Sequence, residues 1–432
     1  MSASICIIID KSGSMLADDS LHAALAGAAS FAASVMRIGD SVGVVAFNGD
    51  AQAVFPLQPI TSTSDKTRVV DAIMGIIGGG LTNMKAAFDM ANAMMPTPTD
   101  SANQKLGEVF LSDGMYNVGG DPVPGLGARP PVYTIALGAH KQEATLHAIA
   151  DKTGGGYFFA ADPGSLGAIY NAIVGQARLA ALVATPNLVV SSSQSLPASG
   201  TIPSGATEAI LTLEWIDPAV RYGQLSATVV GPDGTKQWNG PEITGAGFAV
   251  FRIPDPAPGT YTITPKYAGS GTLRCTVGIF DDNDTLALHV APPRGVISAG
   301  APMEAEVRLT DGGEPLDDVR LSVRLESPLV TLDEALATHA ARLDKVEIGD
   351  DVAEEHEPLA RLRRLQQTTG EDLMPRTERP GDVSAADDGV YRIRVPDVGK
   401  AGSHTLHVTA HGTSRISNTP YQRSAQVSFV VK

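Results

Sequence analysis

Ser4-Ile5-Cys6-Ile7-Ile8-Ile9 runs without a break into Asp10-Lys11-Ser12-Gly13-Ser14-Met15. Its apolar side chains fill successive positions rather than alternate ones, the pattern of a central strand buried on both faces. Leu21, Ala24, Leu25, Ala28, Phe31, Ala32 and Val35 follow at spacings of three and four. That periodicity predicts a helix with one apolar stripe facing the sheet. A polar, oxygen-rich loop between a buried strand and its helix is the first mark of an α/β unit with a site at the strand end.

Outward from this stretch the alternation repeats as far as residue 183. Ser41 to Phe47 and Ala51 to Leu57 read as strands, and Lys66 to Ile77 and Thr82 to Met95 as helices. Val109 to Ser112, Val132 to Leu137 and Tyr157 to Phe159 read as the remaining strands, with helices at Glu143 to Lys152 and Ser165 to Leu182. Strands alternating with helices predict a doubly wound, Rossmann-like α/β domain over 1–183, with a parallel sheet between two helical layers.

After Pro186 the chain changes to short segments broken by Pro, Gly, Asn and Asp, the texture of antiparallel sandwiches. Ile210 to Trp215, Leu225 to Val230, Phe248 to Ile253, Tyr261 to Thr264 and Leu273 to Phe280 are strands of one all-β sandwich over 184–291. A second, Ig-like sandwich over 292–432 begins near Pro292-Pro293 and turns at Asp311-Gly312-Gly313 and Asp387-Asp388-Gly389. It is interrupted from about Thr331 to Pro380 by a charged stretch with helical periodicity. There Leu332, Leu336, Leu343 and Val346, then Leu359, Leu362 and Leu365, give two short apolar faces, and Pro358 suits a helix start.

Three loops carry the chemistry: Asp10-Lys11-Ser12-Gly13-Ser14, Leu81-Thr82-Asn83 and Ser112-Asp113-Gly114. In a doubly wound sheet all three lie beyond the carboxyl ends of strands, where a reversal of strand order opens a crevice. The hydroxyls of Ser12, Ser14 and Thr82 and the carboxylates of Asp10 and Asp113 would meet there. Mg²⁺ takes six oxygen ligands in a strict octahedron and keeps its waters, which hydroxyls and water-bridged carboxylates satisfy. Gly13 is expected to let the loop turn sharply between the two serines.

This constellation resembles the metal-ion-dependent adhesion site of von Willebrand factor type A domains, over about residues 1–183. The resemblance implies that Ser12, Ser14 and Thr82 ligate the ion directly, that Asp10 and Asp113 hold coordinating waters, and that a Glu or Asp of a protein partner completes the shell. It implies Mg²⁺, with Mn²⁺ or Ca²⁺ as substitutes. In some members the last helix shifts on ligand binding, here the one near Ser165 to Leu182. The later segments are similar, more loosely, to β modules behind A domains in bacterial surface proteins and in calcium-activated chloride channel regulators.

Plainer readings stand beside these. Ser and Asp at a strand-to-helix turn also cap helices, but one cap does not account for three converging loops. Asp281-Asp282-Asn283-Asp284 has the oxygens of a calcium loop without the Gly and distal Glu, and reads as a turn. Arg361, Arg363 and Arg364 form a basic cluster that Glu354, Glu355 and Glu357 could neutralise. The helical insertion is either a charged hairpin on its own sandwich or an arm that docks a partner.

A formal net charge of −15 over 432 residues argues against nucleic acid as the main partner. No apolar run approaches the roughly 20 residues of a membrane span. Cys6 and Cys275, the two cysteines, fall in different segments and read as core residues. His356-Glu357 lacks the second histidine of a zinc-protease helix, and no nucleophile elbow or phosphate loop is present. The expectation is a binding protein and not an enzyme. It is extracytoplasmic or at the cell surface if a leader has been removed, and otherwise cytoplasmic. Two alternatives keep the same head: an intracellular adaptor of an ATPase or chaperone system, and a structural scaffold with a silent metal site.

Overall fold

β1 (Ser2–Asp10) lies inside a six-stranded sheet with α1 (Ser20–Val35), β2 (Ser41–Phe47), β3 (Ala51–Pro59), α2 (Thr63–Met74), α3 (Met84–Met94), β4 (Gln104–Ser112), β5 (Val132–Leu137), α4 (Glu143–Thr153), β6 (Tyr157–Ala160) and α5 (Leu166–Gln176) following it in the chain. This is a computed structural model that describes residues 2–16, 20–96, 104–114, 116–140, 142–177, 179–234, 236–238, 240–291, 293, 297–349, 352, 354–384 and 389–432. Pro292 and the turn residues Asp387 and Asp388 lie outside the described residues, as does the side chain of Glu355.

The strand order is β3-β2-β1-β4-β5-β6. Direction of travel reverses between β1 and β4, and the ends of those two strands carry Asp10 and, one residue beyond, Asp113. Both faces of β1 are buried: Ile5, Ile7 and Ile9 enter one core and Cys6 and Ile8 the other. The sheet is mixed, not parallel as expected, because β3 runs antiparallel to β2. Only Asn48 to Asp50 separate these strands, a hairpin length, whereas a parallel partner needs a crossover of a dozen or more residues. Pro56 and Pro59 sit in this edge strand, where a missing donor costs no interior ladder bond.

α1 departs from the expected single stripe. Every one of its residues except His22 is buried, as befits a helix that is apolar all round. One side meets the sheet; the other meets Ile210, Ile243, Phe248 and Val250 of the following β region, which share its core. Small residues permit this double packing: a Cβ on Gly27 would lie 2.6 Å from the Tyr170 ring. At the helix end Arg252 donates to the carbonyl of Ser34 at 3.0 Å while paired with Glu208 and Glu242, placing a cation against the negative end of the helix dipole.

α5 ends at Gln176, short of the expected Leu182. Ala181–Ala184 is instead a strand that pairs with Thr272–Asp281, whose exposed edge offers hydrogen bonds to an apolar segment. That sheet runs Ile243–Gly245, Phe248–Pro254, Glu208–Trp215, Thr272–Asp281, Ala181–Ala184, and it shares a core with a second antiparallel sheet built on Leu225–Val230, Gly259–Tyr267 and Ala198–Ile202. Two further antiparallel sheets, one on Met303–Asp311 and Val390–Val395 and one on Arg320–Pro328, Gly402–Thr413 and Pro420–Val431, close over a third core. Arg423 reaches back from the last strand to Asp281 at 2.8 and 3.0 Å, and both side chains are buried. Asp282 accepts from Thr207 and Glu208 and Asn283 from Thr285, so this acidic run is a hydrogen-bonded turn.

The last β region folds back onto the α/β unit. Phe159 donates its N–H to Ser428 Oγ at 3.1 Å, Tyr157 Oη lies 2.6 Å from Ser403 Oγ, and Ser403 donates to Glu143. Within it, α6 (Leu332–Leu343) and α7 (Glu357–Thr369) form the helical pair, and Arg376–Pro380, expected as part of the insertion, is a strand along Arg320–Pro328. Thr331 and Glu334 close a reciprocal cap on α6. Ala335, Leu343, Leu362 and Leu365 bury against one another with Leu373. The two apolar faces therefore consume each other rather than a sandwich surface.

Candidate metal centre at the carboxyl ends of the strands

Asp10 ends β1 with its side chain fully enclosed. Oδ1 accepts from the N–H of Ser12 at 2.8 Å, and Oδ2 accepts from Ser112 Oγ at 2.6 Å. Ser12 Oγ lies 3.2 Å from Ser14 Oγ, which donates to Asp113 Oδ1 at 2.8 Å. Four of the five expected residues are thus joined in one chain of contacts. Thr82 is tied by its backbone to the loop that follows Asp113: its N–H donates to Asn117 Oδ1 at 2.8 Å and its carbonyl accepts from Asn117 N at 3.0 Å. Its Oγ1 is buried without a hydrogen-bond partner.

The loops are tied to one another as well as to the strands. Lys11 N donates to Phe47 O, Gly13 N to Gly80 O, Gly79 N to Lys11 O, and Asn48 Nδ2 to Gly79 O at 2.7 Å. The left-handed backbone that the turn requires falls at Gly79 (φ 133°) and Gly80 (φ 89°). Gly13, expected to supply it, opens a short 3-10 turn and is not among the residues with positive φ. The conformation that glycine alone adopts freely lies on the second loop, where Gly79 N donates to Lys11 O and Gly80 O accepts from Gly13 N.

Asp10 and Asp113 are both 0 % exposed. Burial, then the nearby charge of Asp113, pushes the Asp10 carboxyl up to about 7. A buried donor set of two carboxylates and three hydroxyls, one of them unpartnered, fits a hard divalent cation, which Asp10, Ser12, Ser14, Thr82 and Asp113 could hold. Among the described residues no three His, Cys, Asp or Glu side chains cluster as a metal site.

A cation does stand there, and it is part of the chain. Arg363 of α7 donates Nη1 to Asp113 Oδ2 at 2.5 Å and Nη2 to the carbonyls of Asp113 and Leu137. Of the expected basic cluster, Arg361 pairs with Glu357 at 3.2 Å and Arg364 donates to Gln367, whereas Arg363 leaves for Asp113. His356 lies beside it with Nε2 buried and unpartnered, so close that a Cβ on Gly114 would be 3.0 Å from its Cε1. His140, buried beneath, is driven down to about 3 by burial and by the charge of Arg363. Between these groups and the loops remains a space of ≈ 40 Å³. Ser112, Asn48, Asn117, His140, His356 and Arg363 were not read from the sequence as site residues. The short interval from Ser112 to Asp113 was the available signal for the first; none marks the rest.

Residues 5–115 match the family described as the von Willebrand factor type A domain. These residues are a von Willebrand factor type A domain. The match contains Asp10, Ser12, Ser14, Thr82 and Asp113. Two curated relatives are the calcium-activated chloride channel regulator 1 of Mus musculus and that of Homo sapiens, each 27% identical over 164 residues, 37% of this chain and 17% of the relative. The match therefore spans about a sixth of those proteins' length. Among solved structures, a von Willebrand factor type A protein from Catenulispora acidiphila aligns at 17% identity and TM-score 0.36, over 72% of this chain and 63% of that one. The ArnB paralog VWA2 from Sulfolobus acidocaldarius aligns at 15% and 0.30, over 72% and 61%. Proximal thread matrix protein 1 of the mussel byssus, with a zinc occupied MIDAS motif, aligns at 16% and 0.35, over 44% and 50%. A domains often mediate protein–protein recognition and commonly bind a divalent metal at this motif. No helix among the described residues is long and apolar enough to cross a membrane.

Proposed function

We propose that the A domain is a divalent-cation-dependent recognition head that binds an acidic side chain of another protein, with Mg²⁺ as the ion. The observation that carries this reading is Thr82 Oγ1, buried and without a hydrogen-bond partner, on the loop whose Gly80 carbonyl accepts from Gly13 of the Asp10 loop. An unsatisfied buried hydroxyl costs about 1–3 kcal/mol, a cost that ligation to a cation would remove.

The division of labour follows from charge. Ser12, Ser14 and Thr82 bring oxygen without net charge, while Ser112 and the N–H of Ser12 fix both oxygens of Asp10 so that it faces the site in one orientation. Asp113 is oriented by Ser14 in the same way. A Mg²⁺ held mainly by neutral donors stays electron-poor, and its strongest available ligand is a carboxylate from outside. Both carboxylates are already engaged, Asp10 by Ser12 and Ser112 and Asp113 by Ser14 and Arg363, and we propose binding without catalysis.

Selection from a random peptide display in Mg²⁺, with elution by chelator, tests this. Enrichment of Asp- or Glu-bearing peptides, lost with Ser12→Ala, is expected; selection indifferent to chelator or to acidic residues contradicts it. A second reading, a structural head with a silent site, is favoured by one observation: Arg363 already neutralises Asp113.

A further inference from the structure

We infer that α7 is an intramolecular lid on the metal centre, in which the Arg363 guanidinium and the cation compete for Asp113; this rests on the metal-dependent reading above. All five site residues are buried, at 0–5 % exposure, in a motif whose proposed task is to meet a ligand from outside. α7 shares that task's geometry. Arg363 takes three acceptors at the site, two belonging to Asp113 and one to the end of β5. His356, at the amino end of the same helix, covers Gly114. The ≈ 40 Å³ left beneath the lid holds about one water, so the carboxylate of a partner enters only when α7 moves away.

Competition follows from like charge. A guanidinium 2.5 Å from Asp113 Oδ2 and a dication sharing that carboxylate repel across an interior that screens them poorly. The construction suits displacement. α7 and α6 bury their apolar faces in each other and form their own small core, so the pair can swing as a unit without exposing that core. Against the A domain the lid presents Arg363 and His356 with Leu332, Leu336, Pro358, Leu359 and Ala360.

The test is calorimetric titration of the metal-stripped full chain with Mn²⁺, comparing wild type, Arg363→Gln and Ser12→Ala, with amide exchange over 357–369 followed in the wild type. Arg363→Gln is expected to tighten Mn²⁺ about tenfold or more, the scale of one buried charge pair, and saturating Mn²⁺ to speed exchange of α7 in the wild type. Equal affinity in wild type and Arg363→Gln, with Ser12→Ala silent, would overturn the lid and leave the metal reading standing. Slower exchange of α7 on Mn²⁺ binding would overturn it too, because the cation would then be closing the helix down. Absence of binding in every protein would overturn the metal reading and the competition together. The exchange readout in the wild type holds even if Arg363→Gln fails to fold.

Discussion

Arg363 and Asp113 lie 250 positions apart in the chain and 2.5 Å apart in space, and the pair closes the face on which the three loops converge. Arg363 has a side chain only 9% exposed and Asp113 none, so removal of either partner strands a buried charge. In chelator, Arg363→Gln is expected to lose about 3–5 kcal/mol, measured by urea unfolding. Millimolar Mg²⁺ should recover part of that loss in the variant and little in the wild type. An unchanged midpoint in chelator would mean that the pair contributes nothing to the closed form.

Ser112 is not a ligand in the proposed scheme, yet it holds Asp10 Oδ2 at 2.6 Å. Groups that orient a metal's ligands typically matter by about 10–100-fold in affinity. Ser112→Ala should weaken Mn²⁺ within that range while leaving one site in the titration. A loss as complete as that of Ser12→Ala would instead make Ser112 a direct ligand.

Glu214 joins the A domain to the β region, accepting from Ser30 Oγ of α1 at 2.5 Å and from Asn171 of α5. Burial raises its carboxyl from the ordinary 4.5 to about 7. The native state therefore keeps a proton that the unfolded chain releases above about pH 4.5. The contribution to stability is full below that pH, falls as pH rises towards 7, and levels off above it, a spread of about 3 kcal/mol at 1.36 kcal/mol per unit. Glu143 is also raised to about 7 and shares the sign, so Glu214→Gln should flatten the slope rather than abolish it. Identical pH profiles for wild type and variant, by thermal unfolding between pH 4.5 and 8, would contradict the assignment.

Arg423 and Asp281 form another buried charge pair between distant segments, 2% and 0% exposed. Arg423→Met alone should destabilise by about 3–5 kcal/mol, whereas the double variant with Asp281→Leu should recover most of that, because breaking a buried pair costs more than replacing it. If the double variant were as weak as the single, the pair would be supplying geometry that apolar residues cannot.

What was legible in the sequence was local. The run Ser4 to Ile9 and the oxygens just past it fix a strand, a loop and a strand end within a dozen residues, and Asp113 repeats that logic at β4. The antiparallel edge strand β3 was legible in principle, from the three residues between Phe47 and Ala51, but its apolar residues read alike in either direction. Ala181 and Leu182 read as the end of a helix because small apolar residues suit both, and only the pairing of Ala181–Ala184 with Thr272–Asp281 decides. Arg376–Pro380 is a strand despite its charges because it lies at a sheet edge, where both side-chain faces reach solvent. The lid was the least legible. The leucines of α6 and α7 and the arginine cluster were visible, but the partner of Arg363 is set by a whole β region folding back onto β6, which no local pattern encodes.

Titration of the metal-stripped protein with Mg²⁺ and then Mn²⁺, beside Ser12→Ala and Asp113→Ala, tests the central claim most directly. One site in the wild type, absent from both variants with their folds intact by circular dichroism, is the predicted result. No heat at millimolar cation in a folded wild type, or a site that survives Ser12→Ala and Asp113→Ala, would contradict it.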